Sequence, residues 1–154
     1  MKVQECSILL VEDDPNDVLL TQRAFRKANV ANPLHVVSDG EQAEAYLAGR
    51  GAFADRTQHP LPVLVLLDLK LPRRTGLEVL EWLRQQPSLN RLRVVVLTSS
   101  RETSDINRAY DLGASSYLVK PVAFDALIDM VKALDMYWLI LNERPEVQPP
   151  PSRE

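Results

Sequence analysis

The sequence is poor in two residue types on which particular protein classes depend. Cys6 is the only cysteine among 154 residues, which excludes an internal disulfide and any zinc site built from cysteines. Glycine occurs only five times, and there is no Gly-x-x-x-x-Gly-Lys run, so the phosphate loop of a nucleotide-binding domain is missing. A lone cysteine is typical of reducing compartments, and we therefore expect a cytoplasmic location.

Long hydrophobic runs and an excess of one charge are missing as well. Residues 63–67 and 137–141 are among the longest apolar stretches, and both are far shorter than the ~20 residues that a membrane-spanning helix needs. Residues 1–5 include the charged Lys2 and Glu5, and the apolar region of a secretory signal peptide does not follow them. The 18 basic and 21 acidic side chains give a net charge of −3 without a long basic run. We therefore expect neither a membrane nor a nucleic acid as partner.

The remaining composition is that of one globular domain with a regular alternation of elements. Five short apolar runs, each typical of a strand, alternate with segments of helical periodicity. The predicted strands are residues 7–11, 34–38, 63–67, 92–97 and 116–119, and the predicted helices are 15–28, 41–48, 76–86, 103–112 and 124–141. This pattern predicts an α/β fold with a doubly wound, five-stranded parallel sheet and five helices. Right-handed crossovers leave only a few strand orders.

Polar side chains follow four of the five predicted strands. In an open parallel sheet the carboxyl ends of the strands form the ligand-binding edge, so these residues should lie near one another. Taken singly, each has a simpler explanation, because acids before a proline are usually helix caps and a strand-end acid usually forms a turn. Their joint occurrence is what points to a site. The residues are Glu12, Asp13, Asp14, Asp68, Thr98 and Lys120.

The chemistry of this set indicates a cation and a phosphate. Carboxylates that are brought together repel one another unless protons or a cation compensate their charge. Hard oxygen ligands suit Mg²⁺, which binds through one or two carboxylates together with a phosphate group. A lysine at the same edge, Lys120, supplies the positive charge that a phosphate attracts.

Four motifs at these strand ends resemble the receiver domains of two-component response regulators. They are Leu-Leu-Val-Glu12-Asp13-Asp14, then Leu-Leu-Asp68-Leu-Lys-Leu-Pro72 before Gly76, then Val-Leu-Thr98-Ser99, and Tyr117-Leu-Val-Lys120-Pro121. The resemblance covers about residues 6–141. It implies a flavodoxin-like sheet with strand order 2-1-3-4-5. The receiver domain is expected over residues 1–142, and the proline-rich composition of residues 143–154 predicts a disordered tail.

The resemblance implies a role for each residue at this edge. Asp68 is expected to accept a phosphoryl group from a phosphohistidine on a sensor histidine kinase. Asp13 and Asp68, with the backbone carbonyl of Lys70, are expected to bind Mg²⁺, while Glu12 acts through a bound water. Lys120 is expected to pair with the phosphoryl group.

The resemblance further implies a conformational switch. The Thr98 hydroxyl is expected to move toward the phosphoryl group, and the Tyr117 ring then rotates into the vacated space. This rearrangement changes the face built by the fourth helix, fifth strand and fifth helix. In the receiver family the peptide bond before the matching proline is typically cis, so we expect a cis bond between Lys120 and Pro121.

Three features depart from the common receiver pattern. Glu12 stands where aspartate is commoner, which should preserve its water-mediated role. Ser99 stands where alanine is frequent, and it should slightly crowd access to the phosphorylation pocket. The predicted loop over residues 49–62 is longer than usual, and both a functional role and a tolerated surface insertion fit a loop of this length.

The last helix is the expected interface with a second copy. One stripe can face the sheet, and further apolar residues widen this surface toward the carboxyl end. The stripe consists of Phe124, Leu127, Ile128, Val131, Leu134, Trp138 and Leu141, and the expected interface residues are Met130, Tyr137, Trp138, Leu139 and Ile140. These features predict a homodimer through the last helix.

The extended last helix and the extra loop are similar to those of receivers that partner bacteriophytochromes and cyanobacterial phytochromes. The resemblance therefore predicts a light-sensing histidine kinase as partner and a signalling protein rather than an enzyme. The alternative is a Mg²⁺-dependent phosphotransferase or phosphatase with an aspartyl-phosphate intermediate. Hydrolases of the haloacid dehalogenase type carry a second acid two residues after the nucleophile, whereas the residue here is Lys70.

Overall fold

Five parallel strands form one sheet with helices on both faces, as the sequence predicts. The computed structural model describes the backbone of residues 6–147 and the side chains of residues 6–136. The strands are β1 (Ile8–Val11), β2 (Leu34–Val37), β3 (Leu64–Leu67), β4 (Arg93–Thr98) and β5 (Ser116–Val119). The helices are α1 (Pro15–Lys27), α2 (Gly40–Ala48), α3 (Gly76–Gln85), α4 (Thr103–Asp111) and α5 (Phe124–Val147).

The strands are ordered β2-β1-β3-β4-β5, which confirms the order implied by the receiver resemblance. All pairs are parallel, with Ile8 of β1 level with Leu34 of β2 and Leu64 of β3. Because the three central strands are buried on both faces, β1 and β3 are entirely aliphatic, and β4 is aliphatic between Arg93 and Thr98.

Alternate residues of each strand point into two separate cores. On one face, Leu9 and Val11 of β1 pack beneath α2, α3 and α4; on the other, Ile8 and Leu10 pack beneath α1 and α5. Two-residue periodicity in the strands and an apolar stripe on each helix account for this arrangement. In the second core, the predicted stripe on α5 contributes Leu127, Val131 and Leu134 as buried residues, with Phe124 and Ile128 partly buried.

Local capping fixes where α1 and α3 begin. The Asp14 carboxylate accepts a hydrogen bond from the Asn16 backbone at 2.9 Å, with Pro15 as the first residue of α1. Thr75 and Glu78 form a reciprocal capping box at the start of α3. Capping therefore fixes the start of α1 directly after β1 and the start of α3 after the longer loop that follows β3.

Two arginines tie loops to the amino ends of the strands through backbone carbonyl groups. The Arg84 guanidinium donates hydrogen bonds of 2.8–2.9 Å to the carbonyls ahead of β4 and β5, and burial lowers its pKa. These carbonyls belong to Asn90, Leu92, Leu112 and Gly113.

The predicted loop over residues 49–62 is held in a defined conformation and contains a short 3-10 helix, Gly51–Phe53. Arg56 donates hydrogen bonds of 2.8 to 3.1 Å to the carbonyls of Tyr46, Leu47 and His59, and so caps the end of α2. The buried Tyr46 ring packs against Phe53 and His59, and its hydroxyl donates to the Pro60 carbonyl at 2.9 Å.

The last helix is longer than the sequence predicts. It continues to Val147 rather than ending near residue 141, so the first five residues of the predicted tail are helical. Residues 142–144 include neither glycine nor proline, so nothing ends the helix at residue 141, and Pro145 lies within its last turn. Residues 148–154 of the predicted tail lie outside the described residues. Within the described part of the chain, no helix combines the length and apolar character needed to cross a membrane.

Candidate phosphorylation site

The acids predicted at the strand ends come together in space. Oxygens of Glu12, Asp13 and Asp68 all lie within 4.8 Å of one another. Glu12 and Asp13 follow β1, Asp68 follows β3, and these two strands are neighbours in the sheet. Glu12 and Asp68 are buried, whereas Asp13 is exposed to solvent. The result is a pocket of three carboxylates with one side open to solvent, a donor set that suits a hard divalent cation.

Lys120 closes this cluster from β5. Its ammonium group lies 2.5 Å from Glu12 Oε1, 2.9 Å from Asp17 Oδ2 and 3.0 Å from Asp68 Oδ2. A lysine ammonium has three N–H donors, so one hydrogen bond to each acid uses all of them. One positive charge therefore faces several negative charges, and the local excess is acidic.

Burial and neighbouring charges shift the proton affinities of this pair. Burial raises the pKa of Glu12 to about 7, and the negative charge of Asp68 acts in the same direction against the hydrogen bond from Lys120. Burial alone lowers the pKa of Lys120, but the carboxylates of Glu12, Asp17 and Asp68 outweigh it, and the net shift is upward. The Lys120 ammonium thus remains charged.

The backbone around Asp68 leaves little room for movement. The Asp68 N–H donates to the Val11 carbonyl at 3.1 Å, and the Lys70 N–H donates to Asp68 Oδ1 at 3.2 Å. A Cβ atom at Gly76 would lie 2.2 Å from the Asp68 carbonyl oxygen, and one at Gly40 would lie 2.0 Å from the Arg74 carbonyl oxygen. Only glycine allows α2 and α3 to start this close to the loop that follows β3.

The expected switch residues lie on β4, which is next to β3, and on β5, which is next to β4. Thr98 ends β4, is fully buried, and its hydroxyl accepts a hydrogen bond from the Ser100 N–H at 3.4 Å. Tyr117 is half-buried on β5, and its hydroxyl donates to the Ser100 carbonyl at 2.9 Å. Burial raises the pKa of the Tyr117 hydroxyl. Ser99, between Thr98 and Ser100, is exposed.

Asp17 is a partner of Lys120 that the sequence did not identify. The sequence pattern accounts for it as an acid in the first turn of α1, where negative charge is favourable. Asp17 lies four residues after Asp13, about one helical turn, and this spacing was the one sign that it could reach the acidic cluster. Its contact with Lys120, 103 positions later in the chain, depends on the fold.

The expected cis bond before Pro121 is wrong, because all described peptide bonds are trans. The trans form of a bond before proline is favoured by ~0.5–1 kcal/mol by itself.

The expected interface on α5 is only partly described. Met130 is half-buried against the core beneath α1 and α5, and Met136 is exposed. The side chains of Tyr137, Trp138, Leu139 and Ile140 lie outside the described residues.

Comparison with known proteins decides the family. A family profile described as the response regulator receiver domain matches residues 8–132. The chain belongs to the response regulator receiver family. The receiver resemblance inferred from the strand-end motifs is therefore confirmed.

Receivers of light-sensing pathways are among the similar proteins. Response regulator Rcp1 of Synechocystis is 38% identical over 132 residues, which cover 86% of this chain and 88% of Rcp1. The crystal structure of RPA3017, a response regulator in red light signalling of R. palustris, has a TM-score of 0.82 at 38% identity, covering 86% and 93% of the two chains. The phosphorylated cyanobacterial phytochrome response regulator RcpA has a TM-score of 0.80 at 38% identity, covering 87% and 94%.

One of the similar solved structures, that of Rcp1, holds a divalent metal ion. The Mn²⁺-bound form of Rcp1 superposes with a TM-score of 0.78 at 37% identity and covers 87% of this chain and 94% of that one. The similarity to RcpA relates this receiver to the phytochrome response regulators.

Proposed function

We propose that this receiver accepts a phosphoryl group on Asp68 from a sensor histidine kinase. One observation carries the proposal: a buried aspartate has an oxygen 3.0 Å from a lysine ammonium and lies in a cluster with two further acids. A carboxylate in this setting has a cation ready to neutralise an incoming phosphoryl group. Lys70 occupies the position where hydrolases of the alternative class carry a second acid, so the phosphatase alternative has less support.

The transfer forms one bond and breaks another. A carboxylate oxygen of Asp68 attacks phosphorus, a P–O bond forms, and the P–N bond to the kinase histidine breaks. The leaving imidazole nitrogen keeps the electron pair. Lys120 then faces a group with more negative charge than the carboxylate that it faced before, and its positive charge stabilises the phosphoryl oxygens.

The acidic cluster fits Mg²⁺, the cation that the proposal assigns to it. Asp13 and Asp68 would bind it directly with the backbone carbonyl of Lys70, and Glu12 would act through a water. The supporting observation is the set of three carboxylates within 4.8 Å, and the Mn²⁺-bound form of Rcp1 adds a relative that holds a divalent metal. Bound Mg²⁺ supplies charge neutralisation at the phosphoryl oxygens.

The proposed output is a change of the face built from α4, β5 and α5. Thr98 reaches toward the phosphoryl group, and Tyr117 rotates into the space that Thr98 leaves. In support, Thr98 is buried beside a half-buried Tyr117, and the two residues share Ser100 as hydrogen-bond partner. Phosphorylation must favour the new arrangement by a few kcal/mol to make it dominant.

The proposed pathway is a light-sensing one, with a bacteriophytochrome or cyanobacterial phytochrome as the kinase. The similarity to RPA3017 and RcpA supports this assignment. The protein then acts in the cytoplasm as a signalling switch, without turnover of a separate substrate.

We also propose a homodimer through α5. Met136, 66% exposed on this helix, supports an apolar contact beyond the core. Size-exclusion chromatography with light scattering, at micromolar concentration and in both phosphorylation states, checks it. A monomer in both states would rule out the dimer.

Labelling with a small phosphodonor tests the phosphorylation site. Incubation with Mg²⁺ and acetyl phosphate should add one base-labile phosphate, seen by intact mass, as the P–O bond to acetate breaks. The Asp68→Asn variant should remain unlabelled, whereas the Asp14→Asn variant, changed at an exposed helix cap, should be labelled like the wild type. Equal labelling of Asp68→Asn and Asp14→Asn would refute the assignment of Asp68 as the phosphorylated residue. Steady turnover of a phosphoester would favour the phosphatase alternative.

A further inference from the structure

Ser100 connects the two expected switch residues through its backbone. It lies in the loop between β4 and α4 and is buried, with 7% of its surface exposed. Its N–H donates to the Thr98 hydroxyl at 3.4 Å, and its carbonyl accepts from the Tyr117 hydroxyl at 2.9 Å. If the Thr98 hydroxyl turns toward a phosphoryl group, the Ser100 N–H loses that long hydrogen bond first.

The side chain of Ser100 reaches in the other direction, to the start of α4. Its hydroxyl donates to Asp105 Oδ2 at 2.6 Å and accepts from the Glu102 N–H at 3.3 Å. The N-cap residue of α4, Glu102, makes no side-chain capping bond of its own. The Ser100 hydroxyl therefore satisfies a backbone donor at this helix start and binds the acid in its first turn.

A second contact holds α4 nearer its carboxyl end. The Tyr117 N–H donates to the Tyr110 hydroxyl at 3.1 Å, which joins this part of α4 to β5. The helix is thus attached at both ends, to Ser100 at its start and to β5 through Tyr110. Displacement of the Ser100 loop would move the start of α4 relative to the rest of the helix.

We infer that Ser100 is a positioning residue that transmits the movement of Thr98 to the first turn of α4 through its hydroxyl group. This inference rests on the proposed phosphorylation of Asp68 and specifies how that event reaches α4. The contacts of Ser100 form a continuous chain from Thr98 to Asp105, and removal of one hydroxyl breaks it between the loop and the helix.

Hydrogen exchange with mass spectrometry tests this role on the full chain, with and without Mg²⁺ and acetyl phosphate. In the wild type, phosphorylation should change exchange over residues 101–112 by about fivefold, the factor that one net hydrogen bond contributes. In the Ser100→Ala variant this change should be lost, while intact mass still shows one phosphate and residues 114–119 still respond.

Matched variants separate transmission from general structural damage. Ser104→Ala removes an exposed serine hydroxyl in the first turn of α4 and should respond like the wild type. Ser100→Thr keeps the hydroxyl and should restore the response, whereas Asp105→Ala should abolish it as Ser100→Ala does. If Ser100→Ala alone unfolds, the Asp105→Ala and Ser100→Thr results decide the question.

The outcomes also separate this inference from the proposed function. A full wild-type response over residues 101–112 in phosphorylated Ser100→Ala and Asp105→Ala would overturn the role of Ser100 and leave phosphorylation intact. A wild-type chain without label on Asp68 would overturn both proposals, and intact mass identifies that case directly.

Discussion

The two ends of the sheet hold their cations in different ways. At the carboxyl ends, Lys120 is bound by the carboxylates of Glu12, Asp17 and Asp68. At the amino ends, Arg84 and Arg56 are bound by neutral backbone carbonyls. These backbone carbonyl groups are neutral and are neither phosphorylated nor bound by Mg²⁺ in the proposed function, so these arginines hold the loops in place in every state of the protein. We call these contacts the arginine ties. A carboxylate can be phosphorylated or can bind a metal ion, so the charge around Lys120 can change.

Removal of the Arg84 tie should have the largest effect on stability. The Arg84→Met variant leaves four carbonyls without their charged donor, and we expect the free energy of unfolding to fall by about 2–4 kcal/mol. Urea denaturation followed by circular dichroism measures the change. Arg91→Met, at an exposed position of the neighbouring loop, should change it by less than about 0.5 kcal/mol. Equal midpoints for the two variants would contradict the proposed tie.

Removal of Arg56 should have a smaller and more local effect. The Arg56 side chain is exposed, whereas Arg84 is half-buried, so water can more easily replace the Arg56 guanidinium, and we expect the Arg56→Met variant to lose about 1–2 kcal/mol. Limited proteolysis should then cut within residues 49–62 faster than in the wild type. Arg50→Met, an exposed residue of the same loop, is the control and should be cut at the wild-type rate. Unchanged cleavage in Arg56→Met would show that the loop is ordered by its aromatic contacts alone.

Loss of an acid at the opposite end should have the opposite sign. Without Mg²⁺, the Asp68→Asn variant should be more stable than the wild type by about 0.5–1 kcal/mol, because one carboxylate fewer repels the remaining acids around the single ammonium. Added Mg²⁺ should stabilise the wild type more than the variant. Thermal unfolding with Mg²⁺ or EDTA measures both effects, and Asp129→Asn, an exposed acid on α5, is the control. A less stable Asp68→Asn would show that attraction to Lys120 exceeds repulsion among the acids.

The smallest expected effect concerns His35, on the edge strand β2 beside Tyr46. Burial, with a further contribution from His59, lowers the pKa of His35 from 6.5, so the folded state binds a proton less readily than the unfolded state. Its contribution to stability is therefore complete above pH ~6.5 and is lost as the pH falls from there toward the lowered pKa. The His35→Gln variant should lose less stability than the wild type between about pH 7.5 and 5.5. Parallel losses in urea midpoint would exclude this role.

The sequence predicted the elements that depend on local pattern. Aliphatic runs ending in acids marked β1 and β3, and Pro15 marked the start of α1 within a residue. The acidic edge followed from topology, because parallel strands bring their carboxyl ends together. Strand order required the family resemblance, since crossover handedness alone leaves alternatives.

Contacts between distant residues could not be predicted in the same way. Asp17 fits its helix as a first-turn acid, and nothing local indicates that it binds Lys120. Arg56 and Arg84 are ordinary charged residues in sequence, and their value as ties depends on which carbonyls the fold brings near them. The end of α5 was missed for a different reason, because the helix passes Pro145, a residue that usually marks a helix end, and continues to Val147.

The closeness of Gly76 and Gly40 to the loop after β3 gives the receiver a preferred direction of response. The starts of α2 and α3 are pressed against the backbone of this loop, which leaves little room for movement on that side of Asp68. The other side, from Thr98 to the first turn of α4, is joined by single hydrogen bonds that can break and re-form. We therefore expect any displacement to spread asymmetrically, away from α2 and toward α4.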